Sequence, residues 1–227
     1  MKSAPGDRPG PSDPSARTPP TSTIGNLPVC TSTRVALPDG DACYYPDVFG
    51  PTEAQQLFAR LRTDIGWKEE HIVVFGEHRR VPRLVAWYGD PGASYVYSGV
   101  RHEPLPWIPP LEEIRERVER LTGYAFNSML ANLYRDGNDG MGWHADDESE
   151  LGRDPVIASV SLGATRRFRM RHHRRRDLTV DLDLEHGSLL VMAGSTQHHW
   201  VHAVPKTRRP VGERINLTFR VSRANAG

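Results

Sequence analysis

Cysteine is nearly absent from this chain. Cys30 and Cys43 are the only two in 227 residues. That is too few for a disulfide scaffold or a four-cysteine zinc site, and it fits a reducing compartment. Long apolar runs are missing as well. One of the densest, residues 189–193, is far shorter than the roughly 20 residues a membrane span requires, so no membrane contact is expected. No apolar segment follows Met1 and Lys2, so no secretory signal is expected and the chain reads as cytoplasmic. Neither sign of charge dominates: 29 Lys and Arg stand against 28 Asp and Glu, a net charge of +1. This excludes a histone-like polycation and an acidic tail protein, but a local basic patch can hide inside a neutral sum. A hydrophobic fraction of 37% leaves enough apolar chain for one large core or two small ones.

Residues 1–23 contain Pro, Gly, Ser and Thr with no large apolar residue after Met1. Such a segment cannot bury enough surface to offset its ordering entropy, and it is expected to be a disordered tail. Two helices are expected beyond it. Thr52 and Gln55 make a capping box ahead of Leu57, Phe58 and Leu61. Leu111, Ile114, Val118 and Leu121 recur at helical spacing, with Pro109 and Pro110 before them and Gly123 just past the end. Most of the rest reads as short strands, at about 83–88, 94–99, 126–135, 156–162, 165–171, 178–184, 187–193, 199–204 and 213–222. Many short strands separated by turn residues argue for a mainly β fold with flanking helices, of the sandwich, barrel or jelly-roll kind.

Two segments can carry chemistry. In the last strand Arg214, Asn216, Thr218 and Arg220 share one face and Ile215, Leu217 and Phe219 the other, because side chains alternate with period two. The polar face fits a solvated sheet surface, which is common, and it also fits a pocket for a dicarboxylate, since Arg offers a planar fork matched to carboxylates. Upstream, Trp143-His144-Ala145-Asp146 places His144 and Asp146 on one side of an extended segment. A third ligand from His198, His199 or His202 would complete two imidazoles and one carboxylate, a set that leaves open positions on non-haem Fe(II). Chance pairing is easy with 10 histidines in the chain.

The order of motifs is more specific than any one of them. VFG at 74–76, VPRLVAWYGD at 81–90, YVYSG at 95–99, NLYRDGND at 132–139, WHADDESEL at 143–151, ASVSLGATRRF at 158–168, HGSLLVM at 186–192 and RINLTFR at 214–220 follow one another. In this order they resemble the AlkB family of Fe(II)- and 2-oxoglutarate-dependent nucleic-acid demethylases, above all its animal-type branch acting on alkylated DNA. The resemblance spans about residues 65–222. It implies a double-stranded β-helix (jelly roll), with residues 24–227 forming one dioxygenase domain and a nucleotide-recognition hairpin region at about 66–100. It implies that His144, Asp146 and His202 hold iron, His202 being favoured because Pro205 follows it closely. It implies that Tyr134 and Arg214 hold the distal carboxylate of 2-oxoglutarate, with Asn132, Asn216 and Arg220 around the same co-substrate. O2 is the remaining reactant, and hydroxylation of an N-methyl group releases formaldehyde from bases such as 1-methyladenine and 3-methylcytosine. Alkylated DNA is the expected partner, RNA or single strands the alternative, and a monomer the expected state. A metal-free β-fold that only binds nucleic acid is the competing class.

The same resemblance places Arg83, Tyr95 and Tyr97 around a flipped base, whose removal from the stack gives access to a buried centre. Asp147 and Glu148, next to the metal set, fall beside the cationic methylated base or face solvent. Phe75 lies on a short apolar segment between charged ones and matches a finger that enters the gap left by the flipped base, as apolar wedges do. The stretch 166–176 holds Arg166, Arg167, Arg169, Arg171, Arg174, Arg175 and Arg176 with no acid before Asp177. It reads as a phosphate-binding patch giving salt-dependent affinity. Replacing Phe75 with Ala is expected to cost more repair on double than on single strands, measured on matched methylated oligonucleotides; equal losses would remove the finger.

Overall fold

The computed structural model describes residues 31–74, 77–93, 95–97 and 100–223. The tail proposed for 1–23, the finger residue Phe75, and Ser98 and Gly99 of the expected 94–99 strand lie outside them. Strands β1 (Thr33–Val35) and β2 (Asp41–Tyr45) precede helix α1 (Pro51–Asp64). Then come β3 (Lys68–Val74), β4 (Glu77–Gly89), β5 (Tyr95–Tyr97), β6 (Val100–His102) and helix α2 (Pro109–Thr122). The remainder is β7 (Ser128–Tyr134), β8 (Met141–His144), β9 (Ile157–Gly163), β10 (Arg166–His172), β11 (Thr179–Leu184), β12 (Ser188–Ala193), the single turn α3 (Thr196–His199), β13 (Trp200–Val204) and β14 (Arg214–Arg220).

These strands build a major sheet in the order β1-β2-β12-β9-β14-β7-β4-β3 and a minor sheet in the order β11-β10-β13-β8. From β7 onward the chain passes back and forth between them, the winding of a jelly roll. All the strand pairs inside both sheets are antiparallel. The two faces of β14 go to different places. Ile215, Leu217 and Phe219 join Leu57, Leu61, Leu111, Ile114 and Val118 of α1 and α2 in one apolar cluster. Arg214, Asn216 and Thr218 turn the other way, and all three are buried. The polar face is therefore the lining of an interior, not a solvated surface. A second apolar cluster, with Phe168, Met170, Leu190, Met192 and Trp200, fills the space between the sheets beside it.

The expected strands from 126 onward are present with shifts of a residue or two, and the expected 83–88 strand lies inside β4, which starts six residues earlier at Glu77. The sequence does not indicate β1, β2, β3, β6 and β8, and of the expected 94–99 strand β5 covers Tyr95–Tyr97 while 94, 98 and 99 lie outside the described residues. β1, β3 and β8 lie at sheet edges, where burial is one-sided and the apolar alternation weak. The capping box at Thr52 is not formed. Gly50 is the N-cap, without a side-chain cap, and the helix starts at Pro51. Proline's fixed φ suits that first position and draws Thr52 inside the turn, where its hydroxyl cannot cap. Gly123 ends α2 in the left-handed region at φ 75°, as its place in the sequence indicates.

The basic stretch 166–176 is largely neutralised by residues remote in sequence, which corrects the open patch expected of it. Arg166 is buried, and its guanidinium donates to the carbonyls of Asp136 (3.1 Å), Asp139 (2.8 Å) and Pro205 (2.9 Å). It clasps the turn after β7 to the loop after β13. Arg167 is bonded to Asp183 (2.6 Å) and Asp181 (3.2 Å), and Arg169 to Asp181 (2.9 Å), across the β10–β11 ladder. Arg175 meets Asp39 at 3.2 Å. Arg171 lies 4.4 Å from the centre of the Trp143 ring, a cation–π distance. Of the stretch, Arg174 and Arg176 are left as exposed cations without a carboxylate partner among the described residues.

Arg166→Met is expected to lower stability by about 3 kcal/mol, because three carbonyls lose their donors. That corresponds to a melting temperature lower by roughly 10 °C for a chain of this size. Arg174→Ala should leave melting unchanged; calorimetry on both variants makes the comparison.

Candidate active site

The interior face of the sheets converges on three residues. His144 ends β8, Asp146 follows two residues later, and His202 lies opposite His144 in the β8–β13 register. One ligand-type atom from each lies within 4.8 Å of the others. The ring centroids of the two histidines are 4.2 Å apart, and Phe168 stacks on His202 at 5.2 Å. The other histidine candidates do not join. His198 pairs with Asp154 at 3.1 Å, and His199 stacks on His172 at 5.8 Å.

His144 and Asp146 are each held in a state suited to binding a metal. The His144 Nδ1 lies 2.9 Å from the Gly142 carbonyl. A carbonyl only accepts, so Nδ1 carries the proton and Nε2 keeps its lone pair. Burial, then the neighbouring His202, pushes the His144 pKa down to about 4, against the pull of Asp146 and the Gly142 carbonyl. The ring is therefore neutral at neutral pH. Burial by itself would raise the pKa of Asp146. Arg220, then His202, outweigh it and hold the carboxyl well below the usual carboxylate range. Arg220 bonds the Asp146 carboxylate directly, and His202 Nε2 is 3.5 Å from its other oxygen. The Asp146 amide N–H donates to Gln197 Oε1 at 3.0 Å.

Two cavities meet at this set, sharing His144, Asp146 and Arg220. The inner one is lined by Asn132, Tyr134, Ser159, Arg214, Asn216 and Thr218 among others. Arg214 is 1% exposed and donates from Nη2 to Ser161 Oγ at 2.9 Å, while its Nε and Nη1 have no hydrogen-bond partner by the same geometry. Burial pushes its pKa down to about 10, so it stays charged, and the Tyr134 ring centre lies 5.2 Å away. A buried cation with unused donors calls for an anion. Asn216 donates to Ser159 Oγ (2.8 Å) and the Val160 carbonyl (3.1 Å), leaving its Oδ1 to Thr218 (3.1 Å).

The outer cavity has a volume of about 540 Å³, inside the range of small-molecule pockets. Its lining includes Arg83, Trp87 and Trp143, and the acids Glu70, Glu148 and Glu150. Asp147 is exposed beside it. Tyr95 and Tyr97 lie on β5, and their side chains are outside the described residues. Arg169, Arg171 and Arg174 stand on or beyond β10 and are not part of either lining.

Residues 41–220 match the 2OG-Fe(II) oxygenase superfamily. The chain belongs to that superfamily. The oxygenase is 43% identical over 192 residues to the human protein named DNA oxidative demethylase ALKBH2, covering 80% of this chain and 74% of that one. It is 43% identical over 187 residues to human alpha-ketoglutarate-dependent dioxygenase alkB homolog 3, covering 78% of this chain and 65% of that one. A solved structure titled "The structure of OsALKBH1" has the same fold, with a TM-score of 0.62 at 16% identity over 83% of this chain and all of that one.

The residues present fit the two groups this superfamily is named for. Two imidazoles and one carboxylate are the donor set of non-haem Fe(II) oxygenases, and the buried guanidinium of Arg214, with two unpartnered nitrogens, suits a dicarboxylate. Several supporting residues escaped the sequence reading. Gln197 and Ser161 act through the backbone of Asp146 and the side chain of Arg214. Ser161 sits in an alternation, Ser159 and Ser161 on β9, that could have flagged it; nothing in the sequence singles out Gln197.

Protonation of His144 gives a measurable signature in the metal-free protein. Between about 4 and 6.5 the unfolded chain binds a proton that the native ring refuses, so stability rises with pH across that window and is lost as pH falls through it. His144→Gln should flatten that part of the profile in urea titrations; an unaltered slope would assign it to other groups.

Proposed function

We propose that this oxygenase removes N-linked methyl groups from alkylated DNA bases of the 1-methyladenine and 3-methylcytosine type, restoring the base directly. The observation carrying this reading is the cavity of about 540 Å³ lined by His144 and Asp146, two members of the set completed by His202. The relatives named DNA oxidative demethylase supply the substrate class, at 43% identity over 80% of the chain. His144, Asp146 and His202 are proposed to hold Fe(II). Arg214 and Tyr134 are proposed to hold 2-oxoglutarate, with Asn132, Asn216 and Arg220 around it. Held there, Fe(II) and 2-oxoglutarate would supply O2-dependent hydroxylation of the N-methyl carbon, with succinate and CO2 as co-products and formaldehyde leaving from the hydroxymethyl group.

The chain's own residues supply position and charge. Both target lesions are cationic bases, and Glu70, Glu148 and Glu150 place carboxylates around the cavity that would take them. Trp87 offers an aromatic wall for a base withdrawn from its stack. Tyr95, Tyr97 and Phe75 are proposed to complete base recognition from the hairpin region at about 66–100. Arg174 and Arg171 are proposed to touch phosphates, with Arg169 committed mainly to Asp181. Burial of the centre keeps water from the reacting atoms.

No helix among the described residues is long and apolar enough to cross a membrane. A cytoplasmic monomer, with residues 24–227 as one domain, is the proposed working form. The converging His144, Asp146 and His202 and the two unpartnered nitrogens of buried Arg214 argue against a β-fold that only binds nucleic acid, since binding a phosphate chain needs neither.

Incubation with Fe(II), 2-oxoglutarate and a methylated oligonucleotide should release succinate and formaldehyde in equal amounts. His144→Ala should bring both to background. Matched single- and double-stranded DNA and RNA arms identify the preferred strand. No release from any arm would overturn the reading.

A further inference from the structure

Arg83 and Asn132 join the two cavities through the wall between them. Arg83 lines the outer cavity and not the inner one; Asn132 lines the inner cavity and not the outer one. Arg83 Nε donates to Asn132 Oδ1 at 2.6 Å. The sheet makes this meeting unavoidable. Asn132 on β7 is paired with Val85 on β4, and Arg83, two residues along, shares the face of Val85. On the other side of β7, Asn132 is paired with Asn216 of β14, the strand that carries Arg214 and Arg220.

The bond fixes which way the Asn132 amide faces. A guanidinium has only donors, so the oxygen must be the atom turned to Arg83 and the NH2 must be turned away from it. Asn132 is 2% exposed, so this orientation is held in a dry site where a misdirected amide would leave polar atoms unsatisfied. With Oδ1 committed, the atom Asn132 can offer a ligand of the inner cavity is a donor, which suits a carboxylate. Were the amide turned over, its oxygen would face that carboxylate and repel it.

We propose that Arg83 is a positioning residue for the co-substrate, and that through Asn132 it couples occupancy of the outer cavity to binding in the inner one. This rests on the assignment of the inner cavity to 2-oxoglutarate under the proposed function. Nε is one of five N–H donors on the guanidinium. The same group therefore faces a base in the outer cavity while orienting the amide of the inner one. A base that draws the guanidinium outward loosens the amide, and one that seats it tightens the amide. Either way the two ligands alter each other's affinity, and thermodynamic linkage makes the effect reciprocal.

The test is calorimetry of 2-oxoglutarate binding to the Mn(II)-loaded full chain, with and without a saturating methylated oligonucleotide. Arg83→Ala should weaken 2-oxoglutarate binding about tenfold in the absence of DNA, the effect of losing one charge-assisted donor's worth of order. Arg83→Lys, which keeps a donor and a charge, should recover part of it. The oligonucleotide should change the 2-oxoglutarate affinity of the parent chain and leave that of Arg83→Ala unchanged. Thermal melting of each variant separates loss of fold from loss of orientation, and Arg83→Gln provides a third, uncharged donor. A parent that binds 2-oxoglutarate and variants that bind it equally well would overturn this proposal and leave the proposed function standing. A parent that does not bind it would overturn both.

Discussion

Asp146 carries its charge between two β-sheets with 2% of its surface exposed. An isolated carboxylate in such a place would take up a proton sooner than remain ionised. Arg220 at one oxygen and His202 near the other reverse that preference, and Gln197 holds the backbone amide. The arrangement of the surrounding strands follows from the need to bring these partners together. Arg220 comes from the end of β14, His202 from the middle of β13, and His144 from the end of β8, so both sheets must close on one point.

The second buried charge, on Arg214, sits at the opposite end of β14 and is treated differently. Asp146 is fully compensated from within the chain; Arg214 is not, having two unpartnered nitrogens. One strand thus presents a satisfied charge pair at one end and an unsatisfied cation at the other, with Asn216 and Thr218 between them. Its opposite face, Ile215, Leu217 and Phe219, anchors it under the two helices. That apolar anchorage is what allows a strand with two arginines to lie at the centre of the major sheet.

Much of this was legible in the order of residues. The alternation in 214–220 and the His144 and Asp146 spacing both survive intact, because a two-residue period maps directly onto a strand face. The destination of the polar face was not legible, since alternation says which side chains agree and not whether that side meets water. The arginine-rich stretch misled for a related reason. Its counter-charges, Asp181, Asp183 and Asp39, arrive from across a ladder or from the far end of the chain, and local charge counting cannot register them. Which distal histidine completes the set depends on the register of β13 against β8, a property of pairing and not of composition. The support from Gln197 depends on the single turn that precedes β13 and has no local signature at all.

The Arg220 contact has a consequence for the metal site. Small zinc domains remain unfolded until their ion arrives, because their ligands have nothing else to bind. Here the carboxylate already has a resident cationic partner, so the sheets can close around it with no ion present. The position of the Asp146 carboxylate is thus set by Arg220 as well as by any metal the site takes.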